Sequence, residues 1–148
     1  MSAIDTTAPS QTESLSFEFD LQHPPEMVWR ALTDPVLLAE WLLPVVELEL
    51  MPGAPFTFRT QPHPGWDGIV HCRFLEIEAK RKLSYRWTVG DMGLDTVVTF
   101  TLTPTASGTR LSLLQSGFAP DPTRNFNGAR YGWTMMGAKL TDLLGSNS

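Results

Sequence analysis

The sequence predicts an α+β domain: a curved antiparallel sheet of six or seven strands, two short helices at one end, and a long C-terminal helix across the concave face. Three observations predict it. Apolar and polar residues alternate with a period of two through most of the chain, the breaks between alternating runs are of hairpin length, and the final segment switches to an apolar period of three and four.

Residues 1–14 are polar and small, without an apolar period, and read as a mobile leader. Order is expected from Leu15, where LSFEFDL sets Leu15, Phe17, Phe19 and Leu21 against Ser16, Glu18 and Asp20. Pro24 and Pro25 end that strand, since proline has no amide proton for a ladder, and their fixed φ suits a first helical turn. A helix from about Pro25 to Leu32 follows, with Val28, Ala31 and Leu32 on one face. Asp34 can cap a second helix beginning at Pro35, on which Leu38, Trp41 and Leu42 repeat the apolar stripe. Isolated helices shorter than about 12–15 residues are marginal in water, so both must lie on something larger.

That support is a run of strand signals. Val46 to Leu50 alternates with Glu47 and Glu49, Phe56 and Phe58 sit two apart, and Ile69–Ile77, Leu83–Val89, Leu94–Leu102 and Thr109–Gly117 are longer. Turn clusters such as Met51-Pro52-Gly53 and Gly90-Asp91-Met92-Gly93 separate them, so neighbours should pair as an antiparallel meander. From Asp121-Pro122, Phe126, Ala129, Trp133, Met136, Leu140 and Leu143 mark one amphipathic helix ending at Gly145, with residues 146–148 as a tail. A single domain over residues 15–145 is expected.

One parity of the later strands is consistently apolar: Leu83, Tyr85 and Trp87; Val98, Phe100 and Leu102; Leu111 and Leu113; with Val70, Cys72 and Phe74 on the same side. The other carries Ser84, Arg86 and Thr88, Thr99 and Thr101, Arg110 and Ser112. One face should therefore be covered and the other wet. Only the terminal helix can cover it, and a helix about 10–12 Å across is narrower than such a sheet. Large side chains must either fill the remainder or line a hollow.

The charge of -5, with cations scattered singly, argues against a nucleic-acid partner, which would need cations gathered on one face. Lys80-Arg81-Lys82 is read as a solvated turn. The histidines His23, His63 and His71 and the lone Cys72 show no metal-ligand spacing, so neither metal nor cofactor is expected. Neither a signal peptide nor a long apolar run is evident, so a cytoplasmic location without membrane insertion is expected. His71 falls on the wet parity beside Arg73; Tyr85 and Gln115 fall on the covered parity; and Cys72 reads as a small buried apolar residue. No catalytic residue is assigned.

The segments VWRALTDPVLLAEWLLP, GWDGIVHCRFLEIEAKRKLSYRW, TVVTFTL and GTRLSLLQSGF, followed by GW and MM in the last helix, resemble the heat shock protein 90 ATPase-activator homologue-like family. That family belongs to the START-like, or SRPBCC, helix-grip superfamily. The resemblance runs from Leu15 to Leu144. It implies a sheet gripping the C-terminal helix around a cavity that in relatives takes lipids, polyketide-like or other hydrophobic molecules. The expected lining is Trp41 and Leu42 from the short helices, with Trp66 from the loop Gln61 to Asp67, which could gate the opening. The strands would contribute Phe58, Val70, Cys72, Tyr85, Trp87, Val98, Phe100, Leu113 and Gln115, and the last helix Trp133 and Met136.

Three functions are then open: binding a small hydrophobic or amphipathic molecule such as a lipid, polyketide or flavonoid; a cyclase, dehydratase or hydrolase reaction in the same cavity; or a chaperone-linked interaction module, with a homodimer through a sheet edge. The eukaryotic activator joins such a domain to a separate N-terminal domain that contacts the chaperone. Here only a short polar leader stands in that place, which counts against chaperone contact.

Overall fold

The computed structural model describes residues 4–5, 14–46, 48–61, 68–89, 94–117 and 123–146. Side chains are described over residues 14–46, 48–61, 68–89, 95–117 and 133–144. The strands are β1 (Ile4–Asp5), β2 (Ser14–Leu21), β3 (Val45–Val46), β4 (Pro55–Arg59), β5 (Ile69–Glu78), β6 (Lys82–Val89), β7 (Leu94–Pro104) and β8 (Thr109–Ser116). The helices are α1 (Pro25–Thr33), α2 (Pro35–Trp41) and α3 (Thr123–Ser146).

All strands join one antiparallel sheet in the order β1-β2-β8-β7-β6-β5-β4-β3. β3 to β8 form the expected meander, and β2 closes against the last strand, with Leu15 opposite Gln115 and Leu21 opposite Thr109. The expected six or seven strands become eight because β1 adds a short edge of two residues at one side, while β3 at the other is also only two residues long. β1 comes from residues expected to be leader. The strand expected over Val46–Leu50 stops at Val46. Its partner β4 begins at Pro55, which has no amide to donate, and the chain curls away instead through Met51 N–H to Glu49 O. Gly53, at φ 84, completes that turn and donates to Phe74 O at 2.8 Å.

Alternation along each strand sends one side chain set inward. In β2 every second residue is buried, from Leu15 to Leu21, and β8 repeats the pattern from Thr109 to Gln115. Ser84 keeps the outward parity of its partners Glu76 and Thr99, beside the bulge between Phe74 and Glu76, but is buried there instead of wet; its hydroxyl lies 3.3 Å from Thr99 Oγ1 on β7.

The helix pair is built as its sequence indicates. The Asp34 side chain accepts from Val36 N–H at 2.9 Å, and Pro35 opens α2. The two indoles divide the work. Trp29 is half-buried against the core, whereas Trp41 is only 2% exposed, sets its ring edge-on to Phe100 at 6.4 Å, and donates Nε1–H to Ala31 O at 2.7 Å. Trp41 thus ties α2 to the last turn of α1 and both to the sheet. It is sealed in here and does not stand at an open mouth.

Trp41→Ala is expected to cost about 3–5 kcal/mol of unfolding free energy in guanidinium titration, as for other buried aromatics. Trp29→Ala should cost clearly less. Equal costs would mean that the two indoles share the load.

Candidate functional site

The concave side is a continuous set of rings. Phe56 stacks on Phe74 at 4.6 Å and meets Tyr85 edge-on at 5.2 Å; Tyr85 reaches Phe100 at 6.2 Å; and Phe100 meets Trp133 of α3 at 6.1 Å. A second line runs from Phe58 to Trp87 at 5.5 Å and on to Trp133 at 5.6 Å. Both lines of rings therefore reach the helix at Trp133. Such offset and edge-on pairs add about 0.5–1.5 kcal/mol each beyond their burial.

A buried polar chain crosses the same place. Trp133 Nε1–H donates to Gln115 Oε1 at 2.7 Å, Gln115 Nε2–H donates to Thr96 Oγ1 at 2.8 Å, and Thr96 Oγ1–H donates to Trp87 O at 3.0 Å. Gln115 and Thr96 are each 1% exposed, so these bonds lie away from water, where a lost partner costs most. No buried side-chain nitrogen or oxygen among the described residues lacks a partner.

The structure brings the expected lining together in one core. Leu42, Phe58, Val70, Cys72, Tyr85, Val98, Phe100, Leu113 and Gln115 are buried beside Trp41 and Trp133, and Met136 is half-buried against them. Trp87, at 8%, is the most exposed of the buried apolar residues. Trp66 and the loop core at residues 62–67 lie outside the described residues. Thr96 was missed by the sequence reading, although it shares the inward parity of Val98 and Phe100 and alternation alone could have found it.

The register also locates a rim. Arg59 of β4 lies opposite Ile69, Thr88 of β6 opposite both His71 and Asp95, and Ser116 of β8 opposite Val97 and Ser14. β4, β6 and β8 therefore all end at the same edge of the concave face, next to Val70, Trp87, Val98 and Gln115. α1 occupies the other end, against β7 and β8, and α2 packs on α1, α3 and β3.

Two acidic groups sit in this apolar surrounding. Burial pushes the Cys72 thiol well above its ordinary value; burial, and secondarily the charge that Cys72 would carry, pushes the Tyr85 phenol up as well. Both are thus held neutral. His71 and Arg73 are exposed on the opposite face. No group of three or more His, Cys, Asp or Glu side chains among the described residues could hold a metal, and none of the described helices is long and apolar enough to cross a membrane.

The sequence profile of the family described as Activator of Hsp90 ATPase homolog 1-like protein matches residues 22–145. Among solved structures, the protein MLL2253 from Mesorhizobium loti is 39% identical, with a TM-score of 0.84 over 91% of this chain and 98% of that one. CV1439 from Chromobacterium violaceum is 28% identical, with a TM-score of 0.73 over 90% of this chain and 98% of that one. DynU16, a protein of the dynemicin biosynthetic locus, is 23% identical with a TM-score of 0.78, covering 92% of this chain and 48% of that one, a likeness of fold alone. Among curated proteins none matches significantly.

The raised thiol and phenol have a pH consequence. Their folded-state pKa values exceed the unfolded ones, so the protein keeps their full contribution below the ordinary thiol range and loses it as pH climbs past about 8.5 and then about 10. Unfolding free energy is expected to fall by up to ~1.4 kcal/mol per pH unit for each group in its window. Cys72→Ala should remove the lower-pH part of that slope. An unchanged slope in that variant would show that Cys72 ionises equally in both states.

Proposed function

The chain belongs to the Activator of Hsp90 ATPase homolog 1-like family, and from that membership we propose that it binds a small hydrophobic or amphipathic molecule between its sheet and α3. The fold is the START-like helix grip, whose members commonly hold such ligands. The observation that carries the reading is the coincidence, at one rim, of apolar walls with a single polar chain. Trp87, Phe58, Val70 and Val98 supply the walls, and Trp133, Gln115 and Thr96 the chain. Apolar surroundings with a few convergent hydrogen-bonding groups are the usual composition of a small-molecule site.

The guest enters beside Trp87 and displaces ring contacts around Trp133. Gln115 Nε2 carries a second amide hydrogen that a guest carbonyl or hydroxyl accepts. This chemistry suits an aromatic or polycyclic oxygenated molecule better than a saturated chain. Near the rim Thr96 and Gln115 orient a guest by hydrogen bonds, while burial holds the titratable Cys72 and Tyr85 neutral, which favours binding over acid–base turnover.

Titration with lipids, polyketides and flavonoids, followed by chemical shifts, tests this. The indole N–H signals of Trp87 and Trp133 and the Gln115 side-chain amide are expected to move together and saturate, and Gln115→Leu should weaken binding by about tenfold. Shifts spread evenly over the surface, or no response from any compound, would contradict it.

A further inference from the structure

The opposite face of the same sheet carries a second candidate site. Outward side chains of β4, β5 and β6 fall into rows set by the register. Pro55, Arg73 and Arg86 form one; Thr57, His71 and Thr88 form the next; Arg59 lies beside Ile69 in the third. A hydroxyl–imidazole–hydroxyl row is thereby bracketed by three guanidinium groups. All of these except Ile69 border a hollow of about 340 Å³.

Its charge runs against that of the whole chain, which is -5. Arg73 and Arg86 are directly opposite on neighbouring strands, an arrangement that like charges disfavour unless something compensates them. Arg86 is compensated, since its Nη2–H donates to both Asp95 oxygens at 2.9 and 2.8 Å. The other two arginines have neutral acceptors. Arg73 Nη1–H donates to Gly53 O at 2.8 Å, and Arg59 Nε–H donates to Thr57 Oγ1 at 3.1 Å. Among the described residues no carboxylate forms an ion pair with either.

The remaining bonds fix donors around the hollow. Thr88 Oγ1–H donates to His71 O at 2.8 Å, holding the β5–β6 pair together under the row. Thr57 accepts from Arg59 and so keeps its own hydroxyl hydrogen free to donate. Each guanidinium retains further N–H groups in the planar fork that matches tetrahedral and planar oxyanions.

We propose that this hollow binds a phosphoryl group, with Arg59 and Arg73 as paired charges and Thr57 and His71 as the donors between them. The site lies across the sheet from the ring-lined interior, so it stands whether or not a hydrophobic guest binds there. A doubly charged phosphoryl group meets the two guanidiniums that have only neutral acceptors, and the hollow has room for the group together with part of the molecule that carries it.

The experiment has two arms, one for each source of the group. Inorganic phosphate is titrated at constant ionic strength against the Arg59 and Arg73 Nε–H signals and the His71 ring, with chloride as control. Phosphatidylcholine vesicles containing phosphatidic acid are tested by co-sedimentation. Saturable shifts with phosphate, weakened about tenfold by Arg59→Gln or Arg73→Gln and abolished in the double variant, support the proposal. Vesicle binding lost in the double variant, without shifts from free phosphate, supports it too and assigns the group to a lipid headgroup. Both residues are exposed, and an unchanged tryptophan emission spectrum confirms that the variants are folded. No saturable response in either arm, an equal response to chloride, or equal binding by the double variant would overturn it.

Discussion

A single helix has to close a sheet several times its own width, and the rest of the interior follows from that mismatch. Eight strands about 4.8 Å apart span roughly 30 Å, against about 10–12 Å for α3. The backbone of α3 runs beside β2, α1 and α2. The strands from β4 to β7 are reached through side chains, and those are the largest available: Phe56, Phe58, Phe74, Tyr85, Trp87 and Phe100. Trp133 closes the span from the helix side, touching both lines of rings and hydrogen-bonded to Gln115.

Most of this was legible because it depends on local period. Alternation fixed which side chains of β2 and β5 to β8 point inward, and Asp34-Pro35 marked the junction of α1 and α2. The interior candidates fell on one parity for the same reason, and the described ones do meet in one core. What alternation could not supply was the consequence of pairing. β3 is short because its partner starts with proline, and Ser84 is buried on the outward face beside Thr99 of the neighbouring strand. The hydrogen-bonded chain from Trp133 to Thr96 was hidden likewise. It joins residues 18 and 19 positions apart, which only the three-dimensional arrangement brings together.

The two faces of the central strands have opposite chemistry. Inward, Cys72 and Tyr85 are held neutral among rings; outward, residues one step along the same strands, His71, Arg73 and Arg86, form a polar surface that bears guanidinium groups. A strand with a period of two can serve both without compromise, because a substitution on one face leaves the other in register. The family fold explains the inward face. The outward one follows from register and from which arginines find a carboxylate.

The central claim is that the Trp133–Gln115 bond fastens the helix to the sheet, and a double-mutant cycle isolates it. Trp133→Phe, Gln115→Leu and the combined variant are compared by guanidinium unfolding. A coupling of about 1–3 kcal/mol is expected, because each single variant strands the other's buried polar group while the double variant removes both. Strictly additive losses would mean that the two side chains are neighbours without being a fastening, and that α3 is held by apolar contact alone.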